Sequence, residues 1–187
     1  MVKKITILNV LNPFLSNPKE ALHLSQLSRE IKEPHPTLRQ HFKYLEKLGI
    51  LKKQIKGRLT LYSLNFNNQN LLQYLFIAEK NRLIERLEKH LILKELVFYL
   101  NSYNEENKYL IFGSFVENYE NANDLDLLVI GNIDKKYLDD FSKKYSLNIH
   151  TIQVKSIKLI SDTLKKEIIK KHLIINSTEY FLRWLYG

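Results

Sequence analysis

The sequence predicts an α+β protein, and three features of the 187-residue chain lead to that class. In the first third, apolar residues at helical spacing precede two short strand-like segments around Lys56-Gly57-Arg58, which predicts helices followed by a hairpin. In the last third, strand-like runs alternate with helical ones, which favours a small α/β domain. The region between them shows only helical spacing. We therefore predict a domain at residues 1–67, a helical linker at 68–104 and a second domain at 105–187.

The first domain is predicted to begin with short elements. A helix is expected from about Lys3 to Leu11, ended by Asn12-Pro13 because proline seldom continues a helix. Leu22–Leu24 is long enough only for a small strand. Ser25 is the expected N-cap of a helix from Gln26 to Ile31, since its hydroxyl can accept a hydrogen bond from an unpaired backbone N–H of the first turn.

A longer helix is expected from Pro36 to Leu48, with a proline at its first position and Gly49 just after its end. Four apolar residues share one face of this helix and should pack against a core: Leu38, Phe42, Leu45 and Leu48. Four polar residues lie off that face and should be exposed to solvent: Thr37, Arg39, Gln40 and Lys43.

Two strands, Ile50–Ile55 and Leu59–Leu64, are expected next, and Lys56 and Arg58 make the turn between them basic. The runs that begin at Leu24 and His35, together with this hairpin, resemble the winged helix-turn-helix of many bacterial and archaeal transcription regulators. The resemblance covers residues 21–64 and implies double-stranded DNA as the partner. The longer helix would enter the major groove and the hairpin tip the adjacent minor groove. The residues implied in DNA contact are Thr37, Arg39, Gln40, Lys43, Lys56 and Arg58.

Positive charge is concentrated in the same region. Residues 1–67 contain twelve lysines and arginines against four acidic residues, a net charge of +8, whereas residues 68–187 contain 17 against 16, a net charge of +1. This local excess favours nucleic acid as the partner, because basic side chains neutralise phosphates and release counterions. Two alternatives remain open: a generally lysine-rich composition, and a winged helix that contacts protein.

Residues 68–104 are predicted to form one or two helices that link the domains and pair two chains as a homodimer. A stripe of apolar residues supports this interpretation: Leu83, Leu87, Leu91, Leu96, Val97 and Leu100.

In the second domain we expect strands and helices in alternation. The expected strands are Tyr109–Phe112, Leu125–Ile130 and Ile149–Val154. The expected helices are Asp134–Tyr145, Ser156–Lys171 and Thr178–Tyr186.

The second domain contains Gly113-Ser114, a polar loop, and the pair Asp124 and Asp126. Alternate residues of a strand point to the same side, so both carboxylates can share one site. This pattern resembles the minimal nucleotidyltransferase domain of the DNA polymerase beta superfamily, and the tail from His172 is similar to archaeal members that fuse this domain to a winged helix. The resemblance implies that the carboxylates hold Mg²⁺ and that backbone N–H groups of Gly113 and Ser114 approach the phosphates of a nucleoside triphosphate.

Two departures from the family pattern bear on activity. The third carboxylate of the family is expected at Asn148 or His150, and neither residue supplies a negative charge. Glu117 and Glu120, in the loop after Gly-Ser, would repel a triphosphate.

Two functions therefore remain open. The first is a homodimeric DNA-binding transcription regulator that needs no cofactor to bind DNA and whose second domain is a degenerate sensor or scaffold. The second is a metal-dependent nucleotidyltransferase that modifies a protein or nucleic-acid acceptor. For this enzyme, the family resemblance suggests an antitoxin role with a toxin or another protein as partner.

Composition excludes several other classes. The chain has no cysteine, which excludes disulfides and thiolate metal sites, and its six histidines lack the spacing of zinc ligands. It has no run of 18 apolar residues, so we expect no membrane span and a cytoplasmic protein.

Overall fold

The computed structural model describes residues 8–119 and 123–187. These residues form helices and two β-sheets, so the α+β class is confirmed at this level. They fall into two compact units, which divide after Asn81; the first unit also includes Tyr186, and the second includes Gly187. Within the described part of the chain, no helix combines the length and the apolar character needed to cross a membrane.

The first unit contains short helices followed by a three-stranded antiparallel sheet. Its elements are α1 (Asn12–Ser16), β1 (Leu22–His23), α2 (Leu24–Ile31), α3 (His35–Lys47), β2 (Leu51–Lys56), β3 (Leu59–Leu64) and the beginning of α4 (Leu71–Lys89). The sheet order is β1-β3-β2, and β2 pairs with β3 along its whole length, from Leu51 opposite Leu64 to Lys56 opposite Leu59. The two strands therefore form a regular hairpin.

Two predictions about helix ends in this unit were wrong. Asn12-Pro13 does not end a helix but begins α1, because a proline in the first turn lacks only an N–H that would be unpaired there anyway. Ser25 is not an N-cap: α2 begins at Leu24, and the His23 side chain caps it by accepting from the Ser25 N–H at 3.2 Å. Of the helix expected from Lys3, residues 3–7 lie outside the described part, and Asn9–Leu11 form a 3₁₀ turn.

The buried face of α3 was predicted correctly except at its end. Leu38, Phe42 and Leu45 are fully buried, and the Phe42 ring packs against the Tyr62 ring with centroids 4.5 Å apart. Leu48 is 36% exposed and does not extend this face, because the helix ends at Lys47 and the chain then turns through Gly49 at φ +69°. The α3 helix is thus anchored by three side chains.

The second unit is built around a four-stranded mixed sheet. After the end of α4 come α5 (Leu91–Tyr103), β4 (Lys108–Phe112), β5 (Asp124–Ile130), α6 (Lys135–Tyr145), β6 (Asn148–Val154), α7 (Asp162–Lys170), β7 (His172–Ile174) and α8 (Thr178–Tyr186). The sheet order is β6-β5-β4-β7, with β5 parallel to β6 across the α6 connection and the other neighbours antiparallel.

Two details of this unit differ from expectation. The single helix expected over Ser156–Lys171 is interrupted: a 3₁₀ turn occupies Ile157–Leu159, and α7 starts afresh with Ser161 as N-cap, its side chain accepting from the Leu164 N–H. Leu91 does not belong to the buried stripe, since it is 69% exposed at the first position of α5. The other stripe residues are buried or partly buried.

The two central strands of the sheet are buried, which holds the loops at their ends in place. Ile111 of β4 and Leu127 of β5 belong to a core that also includes residues of α5 and α6. Leu110 and Leu128, which point to the other side, are also fully buried. Both faces of β4 and β5 are therefore covered, and only their ends present polar groups.

Candidate functional site

The residues predicted to contact DNA lie on α3 and at the hairpin tip of the first unit, and we call this set the helix–hairpin surface. On α3 it comprises Thr37, Arg39, Gln40 and Lys43, and on the hairpin Lys56 and Arg58. Thr37 is half-buried and the other five are exposed. Since Leu38 and Phe42 of the same helix are fully buried, the core side and the polar side of α3 are separate.

A tight connection sets the position of α3 after α2. Lys32 adopts a left-handed conformation at φ 60°, which ends α2. The Ser28 hydroxyl then donates to the Glu33 carbonyl at 2.6 Å, and the Glu33 N–H donates to the Ser28 carbonyl at 3.2 Å. With Pro34 and Pro36 restricting the backbone on both sides of His35, α3 starts at a defined point.

The hairpin is held at both of its ends. Its turn has two residues, and Gly57 occupies the first of them at φ +58°, a conformation that glycine adopts without strain. At the base, the Asn65 amide donates to the Gly49 carbonyl at 2.8 Å and the Asn68 amide to the Leu48 carbonyl at 2.9 Å. These bonds connect the end of the hairpin to the end of α3.

Two further basic residues of the hairpin were missed by the sequence analysis. Lys52 and Lys53 on β2 are both exposed, and the signal that could have found them is the run of polar residues after Leu51. Within residues 8–119 and 123–187, no hydrogen bond or ion pair involves the side chains of Arg39, Lys43 or Lys56. These cations are therefore available to an external anion.

Arg39 also acts electrostatically on the core. Burial raises the pKa of the Tyr62 hydroxyl, the Glu46 carboxylate raises it further, and Arg39 opposes both. Arg39 itself stays exposed.

The predicted carboxylate pair, Asp124 and Asp126, lies at the start of β5 in the second unit. Asp126 is paired with Phe112, the last residue of β4, and Gly113 follows directly. Gly113 has φ +79° and ψ −159°, a region that is essentially restricted to glycine. A Cβ at this position would overlap the Asp126 carboxylate. The structure therefore brings Gly113 and Asp126 into direct contact.

Both carboxylates are in contact with polar residues of β6. The parallel register places Asn148 beside Asp124 and His150 beside Asp126. The Asn148 amide donates to Asp124 Oδ1 at 2.8 Å and also lies 2.8 Å from His150 Nε2. If Nε2 accepts that bond, the proton of a neutral His150 sits on Nδ1, which is 3.7 Å from Asp126 Oδ1. An amide and an imidazole thus occupy the positions where the family resemblance implies a third carboxylate.

This set of side chains does not fit a two-metal centre. In the described residues, no three side chains of His, Cys, Asp or Glu form a group that could hold a metal ion. A pair of divalent ions needs more anionic oxygen than two carboxylates supply, and one of these already accepts from Asn148.

The Gly113 loop also uses some of its own polar groups internally. The Gly113 N–H, which the motif predicted to face phosphate, donates to the Lys171 carbonyl at 3.1 Å. The Lys171 ammonium lies 2.7 Å from a carboxylate oxygen of Glu117, so the repulsion expected from Glu117 is offset. Ser114 is exposed at the start of a 3₁₀ turn, and Glu120 lies outside the described residues.

An arginine–tyrosine cluster near this loop was not predicted. Arg86 lies over the Tyr119 ring at 5.0 Å from its centroid, and His90 stacks on the same ring at 4.5 Å. Burial raises the pKa of Tyr119, whereas Arg86 and Arg82 oppose that shift. These contacts join α4 to the Gly113 loop across more than twenty residues, which no local sequence pattern could indicate.

Comparison of the chain with protein-family models, with curated proteins and with solved structures finds no match. A functional proposal for this chain therefore depends on its residues and their geometry.

Proposed function

We propose that the chain is a sequence-specific, double-stranded DNA-binding transcription regulator whose first unit is a winged helix-turn-helix. In this proposal α3 enters the major groove and the β2–β3 hairpin lies in the adjacent minor groove. The element order of the first unit is compatible with it: two helices joined by a short turn, then a hairpin. The observation that carries the proposal is the exposed polar side of α3, with Arg39, Gln40 and Lys43 opposite a fully buried apolar side.

The side chains of this surface suit both parts of DNA recognition. Arginine can donate two hydrogen bonds to guanine, and glutamine can exchange two with adenine, so Arg39 and Gln40 are the proposed base-reading residues. Lys43, Lys56 and Arg58 are proposed to bind phosphates, which position the protein without specifying sequence. Thr37, near the start of α3, is the sixth residue proposed to contact DNA.

A DNA selection tests this proposal. The full chain is incubated with a pool of random duplexes at physiological salt, and bound DNA is recovered and sequenced over several rounds. We expect an enriched motif, and a homodimer predicts two half-sites about one helical turn apart. A pool that stays random after repeated rounds would contradict sequence-specific binding. Retention of random DNA, lost at high salt, would indicate a purely electrostatic interaction instead.

We further propose that the second unit is a nucleotidyltransferase-like domain acting as a sensor or scaffold rather than as an enzyme. The contacts of Asn148 with Asp124 and of His150 with Asp126 support this view. Such a regulator requires no cofactor for DNA binding, acts in the cytoplasm beside the chromosome, and functions as a homodimer.

One observation favours an active nucleotidyltransferase as the second candidate. Asp126, one of the two carboxylates proposed to hold Mg²⁺, packs against Gly113 of the Gly-Ser pair, so the two parts of the motif lie side by side. The alternative enzyme would use Mg²⁺ and a nucleoside triphosphate, and its acceptor would be a nucleic acid or a protein such as a toxin. Labelled nucleotides with Mg²⁺ or Mn²⁺ test it: label transfer that is lost in Asp126→Asn would favour the enzyme.

A further inference from the structure

Three large apolar side chains of the first unit are at least half exposed, and all three lie on α3 or on the β2–β3 hairpin. Ile55 is 68% exposed, Tyr44 53% and Leu59 50%. Among the described residues of this unit, the other exposed large apolar side chains, such as Ile77 of α4 at 47%, fall below one half. The most exposed apolar groups of the unit therefore lie on the elements that carry the helix–hairpin surface.

Two of these side chains flank the basic turn of the hairpin. An apolar and a basic residue precede Gly57, and a basic and an apolar residue follow it. In the register of the hairpin, Lys56 is opposite Leu59 and Ile55 is opposite Thr60. Because directly opposite residues share a face and consecutive residues alternate, Leu59 projects from one face of the hairpin and Ile55 from the other. The tip is therefore apolar on both faces.

Each of the two apolar side chains has a lysine near it on its own face. Lys56 lies directly opposite Leu59. Lys53 is exposed and shares the face of Ile55, about 6.5–7 Å further from the tip along the strand. Lys53 is also paired with Tyr62, whose ring packs against α3, so this face is the side of the sheet on which α3 lies. From tip to base, the Ile55 face presents an apolar group first and a cation second.

The walls of a DNA minor groove have the same order. Deoxyribose rings line the walls beside the bases with apolar C–H groups, and phosphates form the rim. A hairpin that enters tip first places its apolar side chains against the sugars and its lysines near the phosphates. The minor groove of B-form DNA is only about 6 Å wide, whereas a β-ribbon with side chains on both faces is about 10 Å thick, as the spacing of packed sheets indicates. Entry of this tip therefore requires the groove to widen.

We propose that the hairpin tip widens the minor groove and bends the duplex toward the major groove, with Ile55 and Leu59 against the two sugar walls. Apolar side chains that enter from the minor groove bend DNA in this direction. The bend brings the major groove around α3, where Arg39 and Gln40 are proposed to read bases. This inference rests on the proposed function and deepens it, because it states which duplexes the same surface prefers: those whose minor groove opens easily at the hairpin.

Widening of the groove predicts a sequence preference at the hairpin position. TA and CA/TG steps unstack easily, whereas A-tracts are stiff and have a narrow minor groove that attracts an inserted arginine. A hairpin that acts through its apolar side chains selects the flexible steps. A hairpin that acts through Arg58 alone selects A-tracts. The two modes of contact therefore predict opposite sequences at the same position.

The first experiment combines the DNA selection with a bend measurement on the full chain. We expect TA or CA/TG steps beside the bases read by α3. Resonance energy transfer between dyes at the two ends of a motif duplex should show a bend of roughly 20–90° on binding. An A-tract at the hairpin position, or a bound duplex that stays straight, would overturn the hairpin proposal and leave DNA binding by α3 intact. A pool with no enriched motif would overturn both.

The second experiment replaces both apolar side chains with threonine, which suits a strand, in the double variant Ile55→Thr/Leu59→Thr. Both side chains are exposed in the free protein, so urea unfolding should give the stability of wild type. The dissociation constant for the motif should rise roughly tenfold to a hundredfold, because the apolar contacts with the sugars are lost. The bend should decrease with it.

Two further proteins serve as references for the threonine variant. Ile77→Thr, at an exposed isoleucine of α4, should bind and bend DNA as wild type does. The conservative double variant Ile55→Val/Leu59→Ile should keep most of the affinity and the bend, because it stays apolar at both positions. Equal affinity and bend for the threonine variant and wild type would overturn the proposal.

Salt dependence separates apolar contacts from ionic ones. Lys56→Ala should lower the slope of log affinity against log salt concentration by about one, because one phosphate contact is lost. The threonine variant should keep the wild-type slope at lower affinity, and a reduced slope would assign its effect to displaced cations and overturn the proposal. Sedimentation velocity without DNA should give the same association state for the threonine variant and wild type. Weaker self-association of the variant would assign the apolar tip to a contact between copies of the chain instead of DNA.

Discussion

The helix–hairpin surface and the carboxylate pair are both charged, but they differ in what surrounds their charges. The side chains of Arg39, Lys43 and Lys56 make no hydrogen bond or ion pair with any described residue. Asp124, in contrast, accepts a hydrogen bond from Asn148, and Asp126 faces His150. The first set of charges is available for a ligand, and the second is partly used within the fold.

This difference explains why we assign function to one site and a supporting role to the other. A phosphate can bind an exposed ammonium group without breaking an internal contact, and it releases counterions as it does so. A metal ion at the carboxylate pair would have to displace the Asn148 amide and would find too few anionic ligands within the described residues.

The polar side of α3 depends on the packing of its opposite side. Phe42→Ala removes a fully buried ring that packs against Tyr62, so we expect a loss of about 3–5 kcal/mol in the free energy of unfolding. DNA binding should be lost with it. Urea denaturation followed by circular dichroism measures the change, and Tyr44→Ala, at an exposed position of the same helix, is the control. A Phe42→Ala variant that is as stable as wild type would mean that other contacts hold α3 in place.

The carboxylate pair should be sensitive to the backbone beside it. Gly113→Ala places a side chain at φ +79° and against Asp126, so we expect a destabilisation of roughly 1–3 kcal/mol from the backbone alone and more from the overlap. Gly57→Ala is the control for a positive φ in open space, because a Cβ there meets nothing. Thermal unfolding compares the two. Equal losses of stability in the two variants would show that steric overlap with the Asp126 carboxylate adds no cost at Gly113.

Adding Asp126→Ala to the Gly113 variant separates the two contributions. If overlap with the carboxylate matters, the double variant should recover part of the stability lost in Gly113→Ala, and the two effects should not be additive. Strict additivity would place the whole cost in the backbone conformation.

A single base-reading contact should have a smaller effect. Arg39→Ala is expected to weaken binding to the selected DNA motif by roughly 1–3 kcal/mol and to relax sequence preference at one position, because a bidentate contact is lost. Fluorescence anisotropy at fixed salt measures the affinity for the motif and for single-base variants of it. Lys158→Ala, an exposed lysine of the second unit, is the control. If Arg39→Ala and the control bind alike, α3 does not read bases through Arg39.

A single substitution should give the carboxylate pair the ability to bind a metal ion. Asn148→Asp replaces the donating amide beside Asp124 with a third carboxylate, so Mn²⁺ or Mg²⁺ at tenfold its dissociation constant should stabilise this variant by roughly 1.4 kcal/mol. Wild type and Asn148→Ser should show no such stabilisation in thermal unfolding. Equal stabilisation of wild type and Asn148→Asp would show that the wild-type carboxylate pair already binds the metal ion.

The sequence predicted the features that depend on local spacing. The buried residues Leu38, Phe42 and Leu45 follow from helical periodicity, and the strand limits around Gly57 follow from turn chemistry. The sequence motif singled out Gly113 and Asp126 but not their contact, which depends on the pairing of β4 with β5. Each of these signals is contained in a few consecutive residues.

The features that escaped prediction depend on tertiary contacts. His23 caps α2 in place of Ser25 because β1 leads directly into the helix. Lys171 neutralises Glu117 from a position 54 residues further along the chain. The exposure of Leu91 depends on where α4 ends and α5 begins. The spacing of the leucines continues unchanged through that break, so the sequence pattern does not reveal it.

The smallest effect concerns pH and the buried hydroxyl of Tyr119. Burial raises the pKa of Tyr119 in the folded state, while Arg86 and Arg82 reduce the shift. A raised folded-state pKa means that the hydroxyl contributes stability below the unfolded value of about 10, and that this contribution is lost as the pH rises through the folded value. Tyr119→Phe should therefore lose less stability than wild type between neutral and strongly alkaline pH. Exposed Tyr44→Phe serves as the control, with urea unfolding repeated across the pH series. If the Tyr119 variant and wild type decline in parallel, the arginines beside the ring already compensate the charge of the phenolate. The cluster would then be able to hold an anion, and the second unit would resemble the helix–hairpin surface more closely than its carboxylates indicate.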